Sequence, residues 1–225
     1  MFIEGKNIYF KYPNSKEDTI KDFNIELEKG EILAILGESG SGKSTMLRII
    51  SGLEEAYTGN IKIEDKTIFS KNQFTEPENR GIGMVFQDYA LFPHMTVKKN
   101  IQYGLKKKSK EEKEKIAMDM LRLVNLVEHK DKYPYELSGG QQQRVAIARA
   151  IAPKPSVLLL DEPFSNLDAN LQEKIRDEIK DILKKAGITS IFVTHDKNDA
   201  KVLADKVIIL RDGITIEKGS SKDIL

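Results

Sequence analysis

The segment Gly37-Glu38-Ser39-Gly40-Ser41-Gly42-Lys43-Ser44 constrains this chain more than any other. It fits G-x-x-x-x-G-K-[ST], and its flanks are right for that pattern: the apolar run Ile32–Leu36 predicts a buried strand before it, and Lys43–Ser51 predicts a helix after it. A Gly/Ser-rich turn could mimic the pattern alone, but not both flanks together. Gly37, Gly40 and Gly42 let backbone N–H groups turn inward around phosphates, with Ser39 and Ser41 between them, and the helix N-terminus adds partial positive charge. Lys43 can reach the β- and γ-phosphates of a nucleotide and the Ser44 hydroxyl can ligate Mg²⁺; Thr45 follows. ATP and Mg²⁺ are therefore the expected cofactors.

The rest of the chain reads as an α/β protein with a mainly parallel sheet. Ile61–Ile63, Gly81–Phe86, Ser156–Leu160, Ser190–Thr194 and Lys206–Leu210 predict strands, and Asp212–Gly213 a hairpin turn into Ile214–Lys218. Leu171, Ile175, Ile179 and Ile182 recur at helical spacing. Helical periodicity takes over from about Tyr89 to Ile151. The expected division is therefore an ATP-binding core over 1–88 and 156–225, with a helical subdomain inserted over 89–155.

Composition narrows the chemistry. There is no cysteine, which excludes disulfides and thiol nucleophiles, and the three histidines, His94, His129 and His195, show no metal-ligand clustering with acids. Lys plus Arg is 36 against 35 Asp plus Glu, so net charge gives no pull toward nucleic acid. Lys106–Lys115 holds six lysines and three glutamates; the mixed signs and the lack of interleaved aromatics favour a solvated helix face over nucleic-acid binding. The N-terminus has no signal-peptide pattern, and no apolar run approaches the roughly 20 residues that span a bilayer. A cytoplasmic location follows, at a membrane only if partners hold the chain there.

Four further positions fit a site at the strand ends. Val157–Leu160 runs into Asp161, which can hold magnesium through water, and Glu162, which can polarise an attacking water. Alone, such a strand could equally end in a solvated acidic turn. His195 follows the strand Ile191–Thr194 and can donate to a γ-phosphate, although a lone histidine is more often structural. Gln87 follows another strand and can contact magnesium or water; otherwise it is an exposed loop residue.

Leu137-Ser138-Gly139-Gly140-Gln141 opens another helix, with Ser138 as cap. This is a second anion-binding helix terminus, yet one nucleotide needs only one such loop. The simplest resolution is that it serves the nucleotide of a second subunit, in a two-fold dimer with ATP sandwiched between the copies.

With these motifs in this order, the sequence resembles the ATP-binding subunits of ABC transporters over essentially its whole length. The resemblance implies an ATPase with a P-loop core, an N-terminal antiparallel β portion and the helical insert. It implies that Tyr12 stacks on adenine, though a half-buried tyrosine is its plain alternative. Ser138, Gly140 and Gln141 would face the γ-phosphate across the dimer, and Asp168 would contact the partner's phosphate loop. The insert would dock onto transmembrane permease subunits near Gln87, at the inner face of the cell membrane, and a solute-binding protein would act indirectly.

Gln87–Val97 and Glu162-Pro163-Phe164-Ser165 look like importers of iron(III), sugars and polyamines, and Tyr133-Pro134-Tyr135-Glu136 looks most like iron(III)-transport ATPases. The alternative is an ATPase of an exporter or lipoprotein-release system. DNA-maintenance and ribosome-acting relatives fit poorly, because only a short stretch separates Gln87 from Leu137 and there is one set of motifs. The C-terminal regulatory domain of many such importer ATPases has no counterpart up to Leu225.

Overall fold

The computed structural model describes residues 1–167 and 169–225, with the side chains of 169–171 outside that description. Leu171, expected on an apolar helix face, falls among the latter. The chain begins with β1 (Ile3–Phe10) and β2 (Ile20–Leu27), then β3 (Ile32–Leu36), α1 (Lys43–Ser51), β4 (Thr58–Ile63), β5 (Lys66–Ser70), β6 (Gln73–Phe74) and β7 (Ile82–Val85). Three helices follow: α2 (Val97–Gln102), α3 (Lys110–Leu123) and α4 (Gly139–Ile151). The chain then returns to β8 (Val157–Asp161), α5 (Ala169–Ala186), β9 (Thr189–Thr194), α6 (Lys197–Leu203), β10 (Lys206–Arg211), β11 (Ile214–Ser220) and α7 (Ser221–Ile224).

These strands form two sheets. The first is antiparallel, in the order β2-β1-β4-β5-β6, and supplies the antiparallel β portion. The second runs β11-β10-β3-β9-β8-β7; its five strands from β10 to β7 are parallel and only β11 is antiparallel. Every residue of β3 and β9 is buried, as continuous apolar runs require when both faces of a parallel sheet are covered. Leu33, Ile35, Leu159, Ile191 and Val193 face Met46, Leu47 and Ile50 of α1 and the inner side of the antiparallel sheet. Ala34, Leu36, Leu158, Leu160 and Phe192 face the opposite way, into a core shared with α4, α5 and α6. Val97, Ile101, Ala117 and Leu121 of the helical stretch belong to that same core.

α1 is pinned at its far end by a side chain from outside it. Gly52 closes the helix at φ +85, and Arg80 reaches in, donating from Nη1 to the carbonyls of Ile49 (2.8 Å) and Ile50 (2.9 Å) and from Nε to Thr75 (2.7 Å). A Cβ at Gly52 would lie 2.5 Å from Arg80 Nε, so the glycine provides space as well as its left-handed backbone. The guanidinium also lies over Phe74, 4.9 Å from the ring centroid, and burial pushes its pKa down to about 10. Arg80 thus ties the phosphate-loop helix to the antiparallel sheet.

The lysine-rich stretch is a solvated helix start. Ser109 and Glu112 form a capping box on α3, and Lys98 pairs with Glu114 at 2.9 Å and Lys108 with Glu112 at 3.4 Å. Among the described residues, no helix is long and apolar enough to cross a membrane.

Arg80→Met should strand the carbonyls at the end of α1 and cost about 2–4 kcal/mol. The check is the urea midpoint at unchanged m; a wild-type midpoint would show that these carbonyls find other partners.

Candidate functional site

Parallel pairing brings the ends of four strands to one edge. Leu36 of β3 is opposite Thr194 of β9, Asp161 of β8 is opposite Val193, and Val85 of β7 is opposite Leu160. The segments leaving those strands, Gly37–Gly42, His195, Glu162 and Gln87, therefore emerge side by side in that order of strands.

The loop before α1 is held from both sides. Gly37 N donates to Thr194 O at 3.3 Å, and Gly213 N of the β10–β11 turn donates to Ser41 O at 3.1 Å. Gly42 adopts φ +102, and a Cβ there would meet Ile20 Cδ1 at 2.8 Å and Thr19 O at 3.0 Å. Gly40 has φ +82 with open space around it, so backbone conformation alone requires that glycine.

Lys43 is 4% exposed. Its ammonium donates to the Glu38 carbonyl at 2.8 Å and lies 4.0 Å from Glu162 Oε1. Burial pushes its pKa down, and the charges of Glu162 and Asp161 oppose that shift without reversing it. Such a buried cation has an unmet demand for negative charge. Next to it, Ser44 Oγ donates to Asp161 Oδ1 at 2.7 Å. These two oxygens, one from α1 and one from β8, form a hard donor pair of the kind Mg²⁺ takes from proteins when phosphates supply the remainder. Among the described residues no cluster of three acidic or imidazole side chains offers an all-protein metal cage.

Glu162 sits at φ +42, a left-handed conformation uncommon for a non-glycine residue. That turn aims Oε1 at Lys43 and Oε2 at His195 Nδ1, 3.6 Å away, while the His195 ring stays exposed. Glu162 O accepts from Ser165 Oγ at 3.0 Å. Gln87 joins the same segment: its Nε2 donates to Ser165 Oγ at 3.2 Å and its carbonyl accepts from Asn166 Nδ2 at 2.7 Å. Tyr12 is half-buried beside the loop, its hydroxyl 3.1 Å from Thr45 Oγ1 and its ring edge-on to Phe10.

Ser138, Gly139, Gly140 and Gln141 form the start of α4. Ser138 Oγ accepts from Gln141 N at 3.4 Å, Gln141 Oε1 accepts from Ser138 N at 3.0 Å, and Gln141 Nε2 lies 3.3 Å from His129 Nε2. Among the described residues, no hydrogen bond or ion pair joins this terminus to Gly37–Ser44 of the same chain. Asp168 lies outside the described residues.

Sequence reasoning missed two arginines that hold these segments. Arg149 of α4 donates to the carbonyls of Tyr89 (2.9 Å) and Ala90 (2.7 Å), which have positive φ, just after Gln87. Arg176 of α5 is buried against Asp199. Burial pushes the Asp199 carboxyl pKa up, against hydrogen bonds from Thr194 and Arg176 that favour its charged form. Neither arginine is in a local motif, so only their three-dimensional partners reveal them.

A parallel sheet bearing a glycine-rich phosphate loop at its carboxyl edge, an antiparallel sheet packed over α1 and helices inserted between β7 and β8 define a P-loop nucleotide-binding cassette. The chain belongs to the ABC transporter family, whose sequence pattern matches residues 20–165. It is 45% identical over 207 residues to the Fe(3+) ions import ATP-binding protein FbpC of Fusobacterium nucleatum, covering 91% of this chain and 55% of that protein. It is 46% identical over 210 residues to the sulfate/thiosulfate import ATP-binding protein CysA 2 of Agrobacterium fabrum, covering 91% and 60%. The chain therefore spans less than two thirds of these curated relatives. A solved dimeric post-hydrolysis structure of the ATP-binding cassette MJ0796, bound to ADP and Pi, superposes with a TM-score of 0.81 at 34% identity, over 97% of this chain and 98% of that one.

Gly42→Ala is expected to weaken nucleotide binding by about tenfold or more, because the added methyl group must displace Ile20 or the loop itself. Titration with a fluorescent ATP analogue measures this; unchanged affinity would show that the loop has room for the side chain.

Proposed function

We propose that this chain is the ATP-binding and ATP-hydrolysing subunit of an ABC importer and works as a homodimer with two nucleotides between the copies. One observation carries the reading: Lys43, Ser44, Asp161, Glu162 and His195 meet at one edge of the parallel sheet, linked by contacts of 2.7–4.0 Å. The names of the similar proteins, import ATP-binding proteins and a dimeric cassette with ADP and Pi, support it.

In this reading the amides of Gly37–Gly42, with Ser39 and Ser41, wrap the phosphates, and Lys43 meets the β- and γ-oxygens. Tyr12 stacks on the base. Ser44 and Asp161 would hold Mg²⁺, with Gln87 beside them, and the ion would supply positive charge to offset that of the phosphates. Glu162 orients a water and accepts its proton, and His195 donates to the γ-phosphate. Ser138–Gln141 of the second copy closes over that phosphate, and Asp168 meets the partner's loop. ATP thereby favours the closed dimer, and hydrolysis releases it.

We read 1–88 and 156–225 as the nucleotide-binding core and 89–155 as the inserted subdomain that reports its state to transmembrane permease subunits. A groove of about 580 Å³ lined by Phe86, Ala90, Phe92, Tyr103 and Pro153 supports docking beside Gln87. Such docking holds the chain at the inner face of the membrane, where a solute-binding protein acts only through the permease. The transported solute is proposed as iron(III) or a related small solute. Relatives named for iron and for sulfate are equally similar, in keeping with solute contacts lying in other subunits.

Glu162→Gln should retain ATP and accumulate as a dimer by size exclusion, with turnover reduced by about 10²-fold or more. Wild-type turnover in this variant would remove Glu162 as the base. Mixing a Ser138→Arg chain with a Lys43→Ala chain should restore up to about a quarter of wild-type activity if the copies assort randomly, because one composite site per mixed dimer is intact. Mixed dimers without activity would rule out sites shared between copies.

A further inference from the structure

Behind the proposed catalytic residues runs a hydrogen-bond chain that no motif contains. Gln172 Nε2 donates to the carbonyls of Phe164 (3.2 Å) and Leu167 (3.1 Å), on the turn that follows Glu162. Its Oε1 accepts from Arg176 Nη2 at 3.3 Å. Arg176 then donates from Nη2 to Asp196 Oδ2 at 2.6 Å and from Nε to Asp199 Oδ1 at 2.5 Å. Asp199 Oδ2 accepts from Thr194 Oγ1 at 2.5 Å, and Thr194 Oγ1 in turn accepts from Asp196 N at 3.0 Å. Thr194 and Asp196 flank His195. Arg176 is 9% exposed and Asp199 3%, and the guanidinium lies 5.9 Å from the ring centroid of Phe164.

We propose that Arg176 and Gln172 are positioning residues that fix the His195 turn relative to the Glu162–Leu167 turn. Each turn leaves a different strand, and His195 itself is too exposed to be located by packing. The planar guanidinium can bind both aspartates while its remaining N–H reaches Gln172, a geometry that a lysine ammonium lacks. The single helix α5 thereby holds both turns and refines the spacing of His195 from Glu162 that strand pairing sets.

This inference rests on the ATPase reading above, and the experiment separates the two. Gln172→Leu leaves Arg176 paired with both carboxylates, which keeps the buried charges compensated. In the full chain with Mg²⁺ and ATP, it should lower kcat about tenfold while KM for ATP changes less than about twofold, because misplaced groups affect the transition state most. Added to His195→Ala, the same change should cost less than about twofold further, because the link acts through the placement of the Glu162 turn relative to His195, which the first change has removed. Arg176→Lys should reproduce the kcat loss without rescue. Losses that add fully in the double variant would overturn the proposal.

Amide hydrogen exchange provides a second arm that needs no turnover. Gln172→Leu should speed exchange at residues 194–198 and 163–167 and leave β3 and β8 unchanged. Wild-type rates at both turns would also overturn the proposal, whereas a wild-type chain that fails to hydrolyse ATP would overturn only the ATPase reading.

Discussion

The in-register parallel pairing of β3, β9 and β8 underlies everything else in the structure. Those strands are buried on both faces, so their backbone groups can be satisfied only by each other and a slip in register would misplace every apolar side chain at once. Because the pairing is parallel, the three strands deliver their next residues to the same edge. Gly37 lies more than a hundred residues from both Asp161 and His195 in the sequence, yet all three emerge from adjacent ends. Neither local propensity nor any side-chain contact is needed to bring them together. The contacts that do form, such as Ser44 to Asp161, refine a neighbourhood that the backbone hydrogen bonds have already set.

That rigidity allows a costly arrangement to persist. Lys43 is buried with the Glu38 carbonyl at 2.8 Å, the Glu162 carboxylate at 4.0 Å and the charge of Asp161 to compensate its own, and Glu162 holds a left-handed backbone to aim at it. Each feature lowers the stability of the isolated chain, and the buried Lys43 ammonium is a preorganised positive charge at the sheet edge. Folding energy comes instead from the two apolar layers on either side of the sheet, where Phe23, Phe164 and Phe192 are almost wholly buried. Separating the stabilising layers from the strained edge lets the site keep charges that a core could not hold.

The helical stretch is coupled to this edge through side chains. α4 carries Ser138 at one end, and its Arg149 grips the Tyr89–Ala90 backbone. Its core is continuous with the sheet face that holds Leu36 and Phe192, so the inserted helices do not fold around a separate centre. The start of α4 is thus tied to the backbone beside the Phe86–Tyr103 groove by one helix and two charge-assisted hydrogen bonds.

Much of the site was legible in the sequence because its chemistry is local. A phosphate cradle needs glycines, a lysine and a hydroxyl within eight residues, and a strand ending in Asp161-Glu162 declares itself by apolar run and charge. Fully buried strands are similarly visible, as Ile32–Leu36 and Ser190–Thr194 were, whereas the short strands β5 and β6, half-exposed and broken by turns, left no clear period. The local sequence also marked Ser138 as a helix cap but was silent about the wiring: Arg80 on the end of α1, Arg149 on Tyr89 and Ala90, Arg176 between two aspartates. An arginine's sequence neighbours say nothing about which carbonyl or carboxylate it will reach, because long side chains find partners set by how elements pack. The sequence by itself determined the phosphate loop, the acidic strand end and the α/β alternation, all properties of contiguous residues. Only the tertiary structure decided the distances among Lys43, Glu162 and His195 and the separation of Ser138 from them, because those depend on strand order and register, which no single segment encodes.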